Sequence, residues 1–186
     1  MKKYSLPLIV IFAVVVLDQA LKIWIKTNMF LGEEIPLFGN WFLLHFTENN
    51  GMAFGFEFAG EYGKLFLTLF RILAVTGIGY YLFKLISKNA PKGLQISLSL
   101  VFSGAIGNII DSTFYGKLFG YETWLHGRVV DMFYAPLFSG TFPQWLPFWA
   151  GESFLFFRPV FNLADAAITV GVAMILVFQR NFFEIE

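Results

Sequence analysis

Cysteine does not occur in this chain. Its absence excludes a disulfide framework, thiol nucleophiles, thiolate metal sites and a lipidated cysteine of the protein's own. Histidine is nearly absent: His45 and His126 stand alone, with no H-x-x-x-H or H-E-x-x-H spacing for a zinc hydrolase. There is no G-x-S-x-G and no Walker loop. Charge is scarce, at 14% of residues against about 25% in an ordinary soluble domain. The formal net charge is zero, so no basic field recruits nucleic acid and there is no acidic tail. Internal repeats, low-complexity tracts and a second soluble domain are also missing, and residues 1–186 read as one domain.

What the chain has is apolar surface: 57% of its residues are hydrophobic and 25 are Phe. A helix needs about 20 mostly apolar residues to cross a ~30 Å hydrocarbon core. Four segments qualify, at about 5–25, 64–86, 93–110 and 160–178. Lys2 and Lys3 give the first a basic start. Its apolar run continues past Asp18 and Lys22 to Trp24 with no A-x-A pattern after it, so we read a retained helix and not a cleaved signal peptide. The fold class expected is membrane α-helical, with four transmembrane helices.

Lys and Arg placement orients the spans. Lys2 and Lys3 precede the first, Lys84, Lys88 and Lys92 surround the turn between the second and third, and Arg180 follows the fourth. The connection from Thr27 to Gly63 has no Lys or Arg but five Glu. Both termini are therefore expected in the cytoplasm and the two long connections on the outer side. Lys117, Arg128 and Arg158 in the second connection weaken the asymmetry without reversing it. The first (about 28–62) holds short aromatic and β-branched runs broken at Gly39-Asn40 and Asn49-Asn50-Gly51, which reads as a small extracytoplasmic antiparallel sheet. The second (about 111–159) is an outer-face loop and helix region rich in Trp and Pro, side chains suited to the membrane interface.

Carboxylates in or beside these spans need a reason, because one at mid-membrane costs about 2.5–3.5 kcal/mol. Asp18 and Lys22 are i and i+4 on one helix face, which suits an ion pair near the span's end, with Lys22 snorkelling. Asn49, Asn50 and Gly51 suit a tight turn, or a loop that holds an extended peptide. In "GAIGNIIDS", Gly104 and Gly107 permit close helix approach, and Asn108 lies one turn before Asp111. That group reads as a helix-end network or as part of a site. Asp131 follows two β-branched residues in an outer segment. Asn162 and Asp165 are i and i+3 at the mouth of the fourth span, where Asp165 also complements the helix dipole. Two aspartates brought close together share a proton. The ionised member can then deprotonate water while the other hydrogen-bonds a scissile carbonyl, which is aspartic proteolysis without a metal or other cofactor.

Taken in order, "DQALK", "NNGMAFG", "GAIGNIIDS", "GRVVDMF" and "FNLADAAITVG" resemble the lipoprotein signal peptidase (signal peptidase II) family over essentially the whole chain. The resemblance implies an aspartic endopeptidase of the bacterial inner membrane, working at the outer face. Such an enzyme removes signal peptides from prolipoproteins before a diacylglyceryl-modified Cys and is inhibited by globomycin. It implies Asp131 and Asp165 as the catalytic pair, and Asn49, Gly51, Asn108 and Asn162 as substrate-binding. Asp18, Lys22 and Asp111 would support them. The implied partners are lipid-modified precursors, membrane lipids and globomycin-type inhibitors.

Two departures stand out. The family's third motif usually reads G-N-x-x-D-R, and Ser112 replaces that Arg here; Arg128 is a candidate to supply the lost cation. The 33 residues between Asp131 and Asp165 exceed what the family suggests. The excess, "SGTFPQWLPFWAGESFLFF", is expected to extend an outer membrane-surface platform or lid, or to be a neutral insertion. The alternatives are a small proton-coupled carrier using Asp18, Arg71, Asp111 and Asp165, and a scaffold in which the charges merely pair, with Arg71 a structural cation. The lack of inverted repeats argues against the carrier.

Overall fold

The computed structural model describes residues 2–50, 60–156 and 159–183. Among the described residues, three helices are long and apolar enough to cross a membrane: α1 (Lys2–Asn28), α2 (Gly60–Ser87) and α3 (Lys92–Ile110). Each covers its expected span. Lys3 Nζ donates to Ser87 O at 3.3 Å and Tyr4 stacks on Phe83, so the start of α1 lies beside the end of α2. α3 is the central helix and packs against α1, α2 and α5 (Leu163–Val177).

Two boundaries differ from expectation. α3 does not end at 110: one π-helical turn (Asp111–Tyr115) and a short α4 (Gly116–Leu118) continue it. Asp111 therefore sits inside a helix and is fully buried. A π turn inserts an extra residue and re-aims the side chains around it, often at functional sites. The fourth span is shorter than expected. Val160–Phe161 belongs to a strand, Asn162 caps the helix, and α5 ends at Val177, about 22 Å long. A further short helix, α6 (Gln179–Phe183), follows.

Close approach of α3 to its neighbours depends on glycine. A Cβ on Gly104 would overlap the Ala164 carbonyl, and one on Gly107 would lie 2.6 Å from Asp18 Oδ2. These two positions let α1, α3 and α5 converge where the buried charges are.

The expected antiparallel sheet is present but draws on both connections. β1 (Glu34–Phe38), β2 (Phe42–Asn49), β3 (Val129–Tyr134) and β6 (Val160–Phe161) form an antiparallel sheet in the order β1-β2-β3-β6. Gly39, at φ 53°, makes the expected first turn. Pro36 is on β1, an edge strand, where its missing N–H costs no ladder bond. β2 carries one extra residue between Leu44 and Thr47, so Leu44 faces Phe133 while Thr47 faces Asp131. Val130 and Met132 join Leu44, Phe46, Ile25, Met29 and Tyr115 in the core. By strand alternation Asp131 is left on the opposite face. The insertion forms a separate hairpin, β4 (Phe138–Thr141) with β5 (Ser153–Phe156).

Candidate active site

The site lies where the end of α1, the π turn of α3 and the start of α5 meet strand β3. α5 has to satisfy the free N–H groups of its first turn. Asn162 and Asp165 form a capping box: Asp165 N donates to Asn162 Oδ1 at 2.9 Å, and Asn162 N to Asp165 Oδ2 at 3.3 Å. Ala164 N donates to Asp18 Oδ1 of α1 at 2.9 Å. The helix carrying Asp165 is thus held in part by a carboxylate from the first span.

Asp111 does the corresponding work for β3. Its Oδ2 accepts Val130 N at 3.2 Å, next to Asp131. Lys22 Nζ ties the two anchors together, 2.9 Å from Asp18 Oδ2 and 2.8 Å from Asp111 Oδ2. Its third bond goes to Asn108 Oδ1 at 2.9 Å. The expected Asp18–Lys22 pair is therefore present, but Lys22 does not snorkel: it is fully buried, with all three ammonium donors used. Gln19, between them in the "DQALK" motif, joins the same network. Its Nε2 donates to Asp111 Oδ1, Gly107 O and Asp18 Oδ2, and its Oε1 accepts from Tyr115. A glutamine three residues before Lys22 on one helix face was the available signal for it. Tyr115 left none, because the π turn aims it inward.

Asp131 and Asp165 meet through two asparagines. Asn162 Nδ2 donates to Asp131 Oδ1 at 2.7 Å, with Val130 O and Asn108 Oδ1 at 3.3 and 3.1 Å. Asn108 Nδ2 donates to Asp165 Oδ1 at 2.8 Å. Asn49, at the end of β2, also hydrogen-bonds Asp131. Asp131 is 3% exposed, and burial raises its pKa to about 7. The Asp165 charge adds to the rise, while the bonds from Asn49 and Asn162 and the Lys22 charge oppose it. A cavity of about 310 Å³ opens beside Asp165, lined by Pro159, Phe161, Ala166, Thr169 and Val170.

Gly51 lies outside the described residues. Arg128 does not turn toward the aspartates: its Nη1 is 3.2 Å from Glu48 Oε2 and its guanidinium stacks over Tyr121. Glu48 is also paired with Lys26. Arg71 of α2 reaches the site instead, with Nη1 3.4 Å from Ser112 Oγ.

Residues 10–180 match the family model for signal peptidase (SPase) II. The chain is 51% identical to the lipoprotein signal peptidase of Porphyromonas gingivalis, covering 90% of this chain and 79% of that protein. It is 45% identical to that of Amoebophilus asiaticus, covering 89% and 74%. Two solved chains described as bacterial membrane enzymes superpose with TM-scores of 0.65 and 0.66 at 25% and 26% identity, covering 98% and 94% of this chain and 94% and 92% of theirs. With its buried polar network between apolar helices, this chain belongs to the signal peptidase II family, the membrane aspartic peptidases that cleave signal peptides from prolipoproteins.

Proposed function

We propose that Asp131 and Asp165 are the catalytic pair and that they cleave prolipoproteins immediately before a diacylglyceryl-modified Cys. The observation that carries this reading is Asn162, whose side chain is bonded to Asp131 while its cap holds Asp165. Asp131 is the buried member with the raised pKa, so it holds the shared proton, and Asp165 takes a proton from water. The hydroxide adds to the scissile carbonyl carbon as Asp131 donates to the carbonyl oxygen. When the tetrahedral adduct collapses, the C–N bond breaks and a proton passes to the leaving amine of the lipidated Cys. The signal peptide departs with a new carboxylate.

Asn108 and Asn162 orient the carboxyls, and Asn49 with Gly51 holds the substrate backbone. The Lys-rich helix ends, with Lys3 on Ser87, lie in the cytoplasm together with both termini, and the sheet and carboxylates face outward across the bacterial inner membrane. Precursor acyl chains stay among membrane lipids and enter sideways, and globomycin-type inhibitors occupy the same site. The family match removes the grounds for the carrier and scaffold readings.

The test is cleavage of a lipidated precursor peptide by detergent-purified protein. Wild type cleaves, whereas Asp131→Asn and Asp165→Asn remain folded and are nearly inactive. Full cleavage by Asp165→Asn would overturn the pair.

A further inference from the structure

Four carboxyl groups, Asp18, Asp111, Asp131 and Asp165, meet in one network; the first three are buried and Asp165 is half-buried, and Lys22 is the cation ion-paired inside it. Uncompensated charge in a medium of low dielectric is costly, so a cluster of this kind approaches balance by holding protons or recruiting cations. Lys22 balances one carboxylate. Its ion pairs are with Asp18 and Asp111, so a second positive charge nearer Asp131 and Asp165 would favour an ionised member of that pair.

Arg71 changes that count. It comes from α2, the span that contributes none of the four carboxyls. Its Nη1 is 3.4 Å from Ser112 Oγ, and Ser112 Oγ donates to Asn108 O at 2.9 Å. Asn108 in turn donates to Asp165. The guanidinium is thus seated one residue beyond Asp111, on the helix that orients Asp165. Its electrostatic partners are Asp165 first and Asp131 second. Ser112 stands where the resembled motif carries arginine, so the structure brings a guanidinium to this position from another helix. Other charges on and around this end of α2 include Lys64, which donates to Asn50 Oδ1, Glu122, and the Glu48 group with Lys26 and Arg128 on the sheet side.

We propose that Arg71 is a positioning residue of the proteolytic site: seated on Ser112, its positive charge keeps one carboxylate of the Asp131–Asp165 pair ionised and able to activate water. The proposal rests on the pair assigned above, and its test separates the two.

Cleavage of the lipidated peptide is measured against pH for Arg71→Gln, Arg71→Lys and the double variant Arg71→Gln/Ser112→Arg, beside Asp131→Asn and Asp165→Asn. Arg71→Gln is expected to lower kcat at pH 7 by about 10-fold or more, the effect of one neighbouring opposite charge on a carboxylate. KM changes little, and activity recovers as the pH is raised. Arg71→Lys keeps most of the activity, and Ser112→Arg restores part of what Arg71→Gln loses. Should Arg71→Gln not fold, the Lys and double variants carry the same comparison.

Full activity of Arg71→Gln beside dead Asp→Asn variants overturns the role of Arg71 and leaves the pair standing. Equal losses in the Gln and Lys variants with an unmoved pH profile make Arg71 purely structural, which also overturns it. Cleavage by either Asp→Asn variant sinks the pair, and the proposal with it.

Discussion

Asp18 Oδ1 accepts the backbone N–H of Ala164 at 2.9 Å, joining residues 146 positions apart in sequence. Asp111 Oδ2 accepts Val130 N in the same way. Each carboxylate beside Lys22 therefore holds the element that carries one of the proposed catalytic pair: Asp18 the helix of Asp165, Asp111 the strand of Asp131. The buried carboxylates of the first and third spans act through the backbone of the other two elements.

It follows that Asp18→Ala should damage both stability and activity. Removing one partner of a buried ionic network is expected to cost about 3–5 kcal/mol, because Lys22 loses a counter-charge and Ala164 N an acceptor. Asp18→Asn keeps an acceptor oxygen for Ala164 and should be milder. Thermal melts in detergent, compared with precursor cleavage, would separate the two losses.

Asn162 offers a sharper test. Asn162→Ala removes the bond to Asp131 Oδ1 and the side-chain cap on Asp165 N. The lost cap costs about 1 kcal/mol of stability. Activity should fall further, by about 100-fold, the usual scale for displacing reacting groups by about 1 Å. The unpaired buried groups left behind add to that cost, so a fall in kcat well beyond what the loss of stability explains is the expected signature.

Asp131 makes stability depend on pH with a definite sign. Its pKa is raised to about 7 in the folded protein, against about 3.9 unfolded. The folded state holds the extra proton between these values. The associated stability is fully present below about pH 3.9 and is lost as pH rises to about 7, by up to about 4 kcal/mol. Asp131→Asn should abolish this slope and leave the protein more stable than wild type at pH 8, though inactive. Tm measured from pH 5 to 8 on both proteins checks this. A wild-type activity that declines above about pH 7 would agree with Asp131 as the proton donor.

The spans and most of the polar cluster were legible in the sequence because both signals are local. Twenty apolar residues are unmistakable, and a carboxylate such as Asp18 or Asp111 among them demands a reason. What was not legible depends on separation in sequence. β3 is buried on both faces, so Val129, Val130, Asp131 and Met132 show no alternation and gave no sign that they pair with β2, some 80 residues earlier. The burial of Lys22 needed Asn108 and Asp111 beside it, and the place of Arg71 needed the π turn to present Ser112. The length of the fourth helix was overestimated because Val160 and Phe161 are as apolar as the helix but serve the sheet.

Gly104 tests whether helix approach sets the site. A Cβ there overlaps the Ala164 carbonyl, one residue before Asp165. Gly104→Ala must push α5 outward, at a cost of about 1–3 kcal/mol for overpacking. The displacement carries Asp165 away from Asn108, so cleavage should drop more than stability. Gly77, with open space around its Cβ position, is the control: Gly77→Ala should leave activity unchanged. Parallel melts and cleavage assays on the two variants measure the difference.

The hairpin between β4 and β5 supports a last prediction. Its tip closes through Phe142 N on Glu152 O and turns at Phe148 and Gly151, both with positive φ. Trp145 and Phe148 are 78% and 92% exposed, and Trp149 is more than half exposed. Rings so exposed on a membrane protein fit the water–lipid interface, where the apolar face and the indole N–H are both satisfied. If the hairpin extends the outer platform, Trp145 fluorescence should be quenched by lipids brominated near the headgroup and little by aqueous iodide. Trp145→Ser with Phe148→Ser should raise KM for a lipidated precursor in vesicles more than in detergent. Strong iodide quenching and an unchanged KM would make the hairpin a neutral insertion.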